Sequence, residues 1–523
     1  MYWNRKIVLH FVFLLVFQLT AQNYRIQESL SFKSKILDRE IRYSIVLPKN
    51  YYQSGKSYPV MYMLHGLGDN ESSWLEYGQV ASILDCMTDK KEIKPFICVM
   101  PQGFKSYYTD SYDGTFNYQQ MFIDELVPYI DSVYRTIPDA SQRAVTGYSM
   151  GGFGAFVLPV KYPDVFSISI PLSASLRTDE QYINEHPDGW NEQWGKIFGG
   201  VGESGDARIT DYYKANSPFY LIESKSVDEL KKVAFYIENG DKENTLCRSN
   251  EFLHIAMLKK GIPHLYNVKE GGHEFSFWRN ALPEVFRFTD ACFRKVEYLV
   301  DAKEIKTKHA LPENMTVQEE HEGEISYRVI YPENLKESSR LYPVVYFVAD
   351  LTKEEQAGLM NLYQGNMQNA GFPPVIFCFV PSKNAGKLSD YIIPRMEKTG
   401  RARPGWHFRS LWVYHCAGDA VVKQAFDSLQ FTVGVLTTAN IRLKESEIAA
   451  LMTGKPNIRD RMWSYIDTPP TGESYPGNGY MHVYLRENGY KHEYRVRTHK
   501  NTFEFLKSGF MPAMKYISKK FHN

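Results

Sequence analysis

The 523-residue chain has almost no charge of either sign to spare, with 61 Lys and Arg against 60 Asp and Glu. A binder of nucleic acid or of anionic membranes shows a basic excess or stripe, so neither class is expected. Cysteine is scarce. Its six positions (86, 98, 247, 292, 378 and 416) contain no Cys-x-x-Cys, which excludes a dense disulfide framework and the usual zinc spacings. Long apolar runs are missing after residue 21, so no transmembrane segment is expected beyond that point. Disorder is excluded as well, because 43% hydrophobic and 23% charged residues are ordinary globular values. Aromatics are plentiful, with 37 Tyr among them. They predict large aromatic cores, or a sugar-stacking surface if a patch can be located.

Residues 1–21 stand apart. Arg5 and Lys6 precede an apolar run from Ile7 to Leu19, and Leu19-Thr20-Ala21 places small residues before Gln22. This is the layout of a cleavable secretory signal, too short for a comfortable membrane span. The expectation is an exported protein, periplasmic or secreted. No Cys follows the cut, so no lipid anchor is expected.

The remainder reads as two unequal copies. Glu40-Ile41-Arg42-Tyr43 and Tyr58-Pro59-Val60 reappear as Glu324-Ile325-Ser326-Tyr327 and Tyr342-Pro343-Val344, at an offset of 284. Asn250, His254, Gly261, His264 and Tyr266 reappear as Asn478, His482, Gly489, His492 and Tyr494, at an offset of 228. A tandem duplication with internal loss from the second copy accounts for both offsets. The expected organisation is a signal at 1–21, a catalytic domain at 22–298, a polar linker at 299–312 and a degenerate domain at 313–523.

In the first copy, short apolar runs (Val60 to Leu64, Phe96 to Met100, Arg143 to Thr146, Phe166 to Pro171, Val233 to Ile237) alternate with helical spacing, as in Met121 to Tyr134. Buried parallel strands with helices on both faces give this pattern, so the fold class is α/β. Sites of such sheets lie at the carboxyl ends of the strands.

The chemistry-bearing motifs fall at those ends. Gly147-Tyr148-Ser149-Met150-Gly151-Gly152 follows a strand and precedes a helix-compatible stretch, which is the context of a nucleophile elbow. Serine needs a base, and the base needs an acid to orient it. Gly271-Gly272-His273 supplies a histidine in a loop after a strand. The run after Ile237 offers two acids, Asp241 and Glu243, and their positions alone leave the choice open. Backbone N–H groups of Met150 and of Leu67, in His65-Gly66-Leu67-Gly68, are the candidate oxyanion donors. Between Ser149 and His273 lies an aromatic segment, Ser175 to Ser224, including Trp190 and Trp194, which suits a lid or acyl wall. Tyr107 and Tyr108 are expected to border the same cleft.

Taken together, these residues resemble the putative-esterase family of α/β-hydrolases. That family comprises feruloyl and acetyl-xylan esterases, S-formylglutathione hydrolases and antigen 85 mycolyltransferases. The resemblance spans roughly 25–297. It rests on Leu64-His65-Gly66, Val99-Met100-Pro101, Ser106-Tyr107-Tyr108, Phe122-Ile123-Asp124-Glu125-Leu126, the Ser149 motif and Gly271-Gly272-His273. The family's acid is an Asp in Gly-x-x-Asp, about thirty residues before the His. Gly240-x-x-Glu243 fits with Glu in its place, so the resemblance favours Glu243 over Asp241. It implies two tandem α/β-hydrolase-type domains, the second truncated, and a serine esterase without metal or cofactor. Its substrate would be an esterified small molecule or oligosaccharide, such as a feruloyl or acetyl ester of plant xylan fragments. Acyl transfer to a sugar, or glycan binding without catalysis, are the other readings.

The second copy departs from the motif. Matching Trp412-Val413-Tyr414-His415-Cys416-Ala417 to the first motif puts Cys416 at the Ser149 position, Asn501 at His273, and Ala349-Asp350 at His65-Gly66. A cysteine needs a nearby base. Only His415 and His499 are near, and neither is at the expected place, so the second copy is expected to be non-catalytic.

Overall fold

The computed structural model describes residues 24–298 and, apart from 299–304, 306–307, 334, 336–338, 371, 416–417, 429, 454–455, 474 and 499–501, residues 305–521. The expected signal at 1–21, much of the expected linker, and Cys416, His499 and Asn501 therefore lie outside the described residues. The chain divides into two compact units, one over residues up to 265 with 271–298, the other over 266–270 with 299 onward. Among the described residues no helix is long and apolar enough to cross a membrane.

In the first unit the strands are β1 (Ile26–Ser34), β2 (Arg39–Val46), β3 (Val60–Leu64), β4 (Ile97–Pro101), β5 (Arg143–Tyr148), β6 (Ile168–Leu172) and β7 (Ala234–Gly240). They lie in the order β1-β2-β4-β3-β5-β6-β7. The β1/β2 and β2/β4 pairs are antiparallel, and the pairs from β4 through β7 are parallel. Strands β3, β4, β5 and β6 are buried along their whole length, as expected where helices cover both faces of a parallel sheet. One covering helix, Met150–Lys161, is buried from Met150 through Val160. Its sequence is apolar all round, which only an interior helix tolerates. The helix Phe275–Phe293 closes the other face, packing Trp278, Leu282, Val285 and Phe286 with Leu84, Met87 and the strand residues Met61 and Met63. Burying each such side chain contributes about 1.5–3 kcal/mol.

Several expected boundaries shift. The strand expected to end at Ile237 continues to Gly240, because Glu238 and Asn239 are buried in the sheet despite their polarity. The helix Phe275–Phe293 also carries Pro283 in its interior. The segment after β6 folds into short helices, among them Asp179–Ile183, Trp190–Trp194, Gly195–Phe198 and Asp211–Asn216. The buried Arg208 guanidinium ties this segment together. It donates to the carbonyls of Glu203, Tyr182, Ile183 and Glu185 and lies over the Trp190 ring.

Strand β8 (Leu265–Lys269) precedes the His273 loop in the chain. The second unit contains β9 (Thr316–Glu322), β10 (Ile325–Tyr331), β11 (Val344–Val348), β12 (Ile376–Val380), β13 (Arg409–Tyr414), β14 (Val433–Thr437), β15 (Trp463–Thr468) and β16 (His492–Val496). Their order is β9-β10-β12-β11-β13-β14-β15-β16. Through β15 this repeats the first unit's order strand for strand, with the same two antiparallel pairs at the β9 edge.

Register corrects one sequence correspondence. Val60 faces Arg143 across β3 and β5, and Val344 faces Arg409 across β11 and β13. Strand β5 ends at Tyr148 and β13 at Tyr414, so the residue at the Ser149 position is His415 and not Cys416. The backbone agrees. Ser149 has φ 56° and His415 has φ 46°, and each donates its N–H to the last residue of the next strand, Leu172 or Thr437. Residue-type matching misplaced the turn by one position because the strand ladder, and not the identity of the sulfur, sets where the strand stops.

Candidate active site

Ser149 sits between β5 and the helix Met150–Lys161 with φ 56° and ψ −119°, a conformation costly for any residue with a Cβ. The strain is held from both sides. Its N–H donates to Leu172 O at 3.1 Å, and its own carbonyl accepts from Phe153 N at 3.1 Å and Ser175 N at 2.8 Å. The glycines of the motif permit the turn. A Cβ on Gly151 would lie 2.3 Å from Leu64 O, and one on Gly147 would lie 2.5 Å from Gly151 O. Both obstacles are backbone atoms, which cannot rotate away.

His273 and Glu243 meet directly, with Nδ1 2.9 Å from Oε2. The imidazole is two-fifths exposed, and Glu243 is 2% exposed. Asp241 is as deeply buried but does a different job: its Oδ1 accepts the Gly271 N–H at 3.1 Å. Lys242 N adds a bond to Gly271 O at 2.8 Å. One acid therefore pairs with the imidazole, and the other fastens the loop that carries it. Residues 241 and 243 follow β7 on the two sides of a tight turn, so only one carboxylate reaches the ring.

No hydrogen bond links Ser149 to His273 among the described residues. They are connected through packing. Tyr148 stacks on Trp278 at 4.1 Å between centroids, and Trp278 meets the His273 ring edge-on at 5.0 Å. Trp278 also donates its indole N–H to Ser173 Oγ at 3.0 Å. In unliganded enzymes catalytic hydrogen bonds are commonly long and tighten when substrate binds.

The Leu67 loop is oriented by His65, which sequence reading treated only as a motif letter. His65 Nδ1 lies 2.8 Å from Gly66 O, and Gly103 N lies 2.7 Å from Nε2. A carbonyl can only accept, so Nδ1 carries the proton, while Nε2 lies between the Gly103 N–H and Gln102 Oε1, each at 2.7 Å. Burial pushes the His65 pKa down, which favours this neutral tautomer. Within a trans peptide the C=O and N–H point in opposite directions. Holding Gly66 O therefore aims the Leu67 N–H away from His65. Among the described residues neither the Leu67 nor the Met150 N–H has an acceptor, and Leu67 is well exposed.

The four aromatic residues expected to touch substrate are packed inside. Trp190, Trp194, Tyr107 and Tyr108 are at most 3% exposed. Tyr108 donates to His65 O, and its ring lies against Gly154. Trp190 caps the Arg208 cage and donates to Gly200 O. Tyr107 and Trp194 pack on each other at 4.5 Å, and the Tyr107 hydroxyl lies 3.2 Å from Ser175 Oγ. The aromatic excess of this segment thus supports its interior and is not an open stacking face. No cluster of three or more His, Cys, Asp or Glu able to hold a metal occurs among the described residues.

In the second unit the equivalent strand ends carry other groups. Asp467 and Arg497 form a bidentate pair, Nε to Oδ1 at 2.9 Å and Nη2 to Oδ2 at 2.7 Å. Asp350 Oδ1 accepts the Ser382 N–H at 2.9 Å.

Comparison with known proteins adds a family. Residues 34–289 match the family model described as Putative esterase. An endo-1,4-beta-xylanase/feruloyl esterase of Xylanibacter ruminicola is 28% identical over 270 residues, covering 49% of this chain and 30% of that protein. An esterase of Mycobacterium tuberculosis is 29% identical over 261 residues, covering 47% of this chain and 53% of that protein. The chain thus spans about a third to a half of the length of these curated relatives. A solved ferulic acid esterase is 26% identical, with a TM-score of 0.44 over 52% of this chain and all of that one. Over residues 34–289 this chain belongs to the Putative esterase family.

Proposed function

We propose that the first unit is a serine carboxylic-ester hydrolase. The observation that carries this reading is the 2.9 Å Glu243–His273 pair in the unit whose β5 ends in the strained Ser149 turn. Ser149 Oγ attacks the ester carbonyl while His273 Nε2 takes its proton. Glu243 holds Nδ1–H and stabilises the imidazolium that forms. The N–H groups of Leu67 and Met150 receive the oxyanion, a contribution of about 3 kcal/mol per donor to the transition state. His273 then protonates the departing alcohol oxygen. Water, deprotonated by the same His273, attacks the acyl-serine and releases the carboxylic acid and free Ser149.

The names of the relatives support feruloyl or acetyl esters of plant polysaccharide fragments as substrates, and residues 1–21 support export. The shared strand order supports an origin of the second unit by tandem duplication. Its His415 at the turn, its Asp350 in place of Gly66 and its Asp467–Arg497 pair support a non-catalytic role. The test is hydrolysis of 4-nitrophenyl acetate and methyl ferulate by wild type and Ser149→Ala. A wild type no faster than the variant on both esters refutes the reading.

A further inference from the structure

The Leu67 N–H hangs on a surface turn. Gly66 O accepts the Asp69 N–H at 3.2 Å, which closes a β-turn over residues 66–69 with Gly68 at its third position and φ 89°. Leu67 is 41% exposed, and a Cβ on Gly68 would meet no atom within 4 Å. An exposed turn of this kind keeps one position only where side chains tether it. His65, itself held by Gln102 and Gly103, holds the first residue of the turn through Gly66 O. The fourth residue, Asp69, has a tether of its own.

That tether comes from the residue before the nucleophile. Tyr148 donates its hydroxyl proton to Asp69 Oδ2 at 2.6 Å, the length of a charge-assisted bond. Burial, and after it the Asp69 carboxylate, pushes the Tyr148 pKa up, so the phenol keeps its proton and stays the donor. The ring is 1% exposed and clamped on several sides. It stacks on Trp278 at 4.1 Å and meets Trp74 at 5.0 Å and Phe275 at 4.9 Å, both edge-on. It also lies flat against Gly66, where a Cβ would fall 2.6 Å from the ring. A ring held this way cannot follow the turn, so its hydroxyl places the turn. Tyr148 thus reaches both halves of the oxyanion hole. Its backbone runs on into Ser149 and Met150, and its side chain grips the turn that carries Leu67.

We infer that Tyr148 is a positioning residue of the oxyanion hole, and that its hydroxyl, acting through Asp69, sets where the Leu67 N–H stands relative to the Met150 N–H. This inference rests on the esterase reading and names a device within it. A donor stabilises the developing oxyanion only from about 2.7–3.1 Å. A turn released by about 1 Å therefore loses most of its contribution in the transition state. The ground-state ester makes little use of that donor, so its binding is hardly affected.

The experiment reads kcat and KM for 4-nitrophenyl acetate. Tyr148→Phe keeps the stacked ring and removes the hydroxyl. Asp69→Ala removes the acceptor from the half-buried turn and leaves the core alone. Each lowers kcat about ten- to a hundredfold, short of the about 10²–10³ lost with a whole donor. KM stays within about threefold. The double variant loses no more than about threefold beyond the slower single one, since both substitutions break the same bond. Asp69→Asn keeps an acceptor oxygen and recovers at least about threefold over Asp69→Ala. The acid limb of the pH–kcat profile, set by His273, stays in place because the Glu243 pair is untouched. Either single variant within about threefold of the wild-type kcat overturns the inference, and so does a loss that falls on KM instead. Losses that multiply in the double variant, or an Asp69→Asn enzyme as slow as Asp69→Ala, overturn it too. In each of these cases the esterase reading stands as long as wild type exceeds Ser149→Ala. If it does not, that reading has failed and this inference falls with it.

Discussion

The two acids after β7 make opposite predictions, and a single pair of variants separates them. Glu243→Gln replaces the carboxylate that faces His273 Nδ1 at 2.9 Å with a neutral amide. If the amide presents its oxygen, the imidazolium formed during proton transfer loses its counter-charge. If it presents its nitrogen, two donors face each other and the ring must turn. Either way the imidazole is no longer held ready, and triad enzymes that lose this group fall by up to about 10⁴ in kcat, or about 5.5 kcal/mol. Glu243 is 2% exposed, too deep to touch substrate, so KM is expected to stay within about threefold and the loss to fall on kcat. Asp241→Asn keeps an oxygen to accept the Gly271 N–H, and its kcat is expected to fall less than about tenfold. Steady-state hydrolysis of 4-nitrophenyl acetate, with circular dichroism to confirm folding, reads both. An equal loss in the two variants, or a Glu243→Gln enzyme retaining a tenth of the wild-type kcat, refutes the assignment.

Three further outcomes are expected. Gly151→Ala drives a Cβ to 2.3 Å from Leu64 O, so it should cost about 1–3 kcal/mol of stability and at least tenfold in kcat by shifting Ser149 and the Met150 N–H; wild-type activity and an unchanged denaturation midpoint would contradict this. Asp467→Asn leaves Arg497 without its buried partner and should destabilise the second unit by about 3–5 kcal/mol, read by chemical denaturation, and a loss under 1 kcal/mol would rule it out. Burial depresses the pKa of His492 to about 3 and that of its neighbour His482 well below the ordinary histidine value. Between about pH 6.5 and 3 the unfolded chain binds a proton at His492 that the folded chain refuses, so stability is lost as pH falls through that window, by up to about 1.4 kcal/mol per unit. Denaturation from pH 7 to 4 should therefore show a shallower decline for His492→Gln than for wild type, and parallel curves would refute the linkage.

Local chemistry was readable along the chain, and non-local chemistry was not. The strained turn at Ser149 was legible because it is a six-residue event. Its glycines, the strand before it and the helix after it are all neighbours in sequence. His273 was legible for the same reason, in a glycine-flanked loop after a strand. The α/β class followed from short apolar runs, since burial on both faces leaves no room for alternation. Asp241 and Glu243 are two residues apart and chemically alike, so only the turn after β7 could show which one meets the ring. His415, and not Cys416, stands at the second turn because strand pairing ends there, a boundary that residue matching cannot see. Trp190 and Trp194 carry the composition of a binding surface, yet tertiary packing turns them inward around Arg208 and Tyr182.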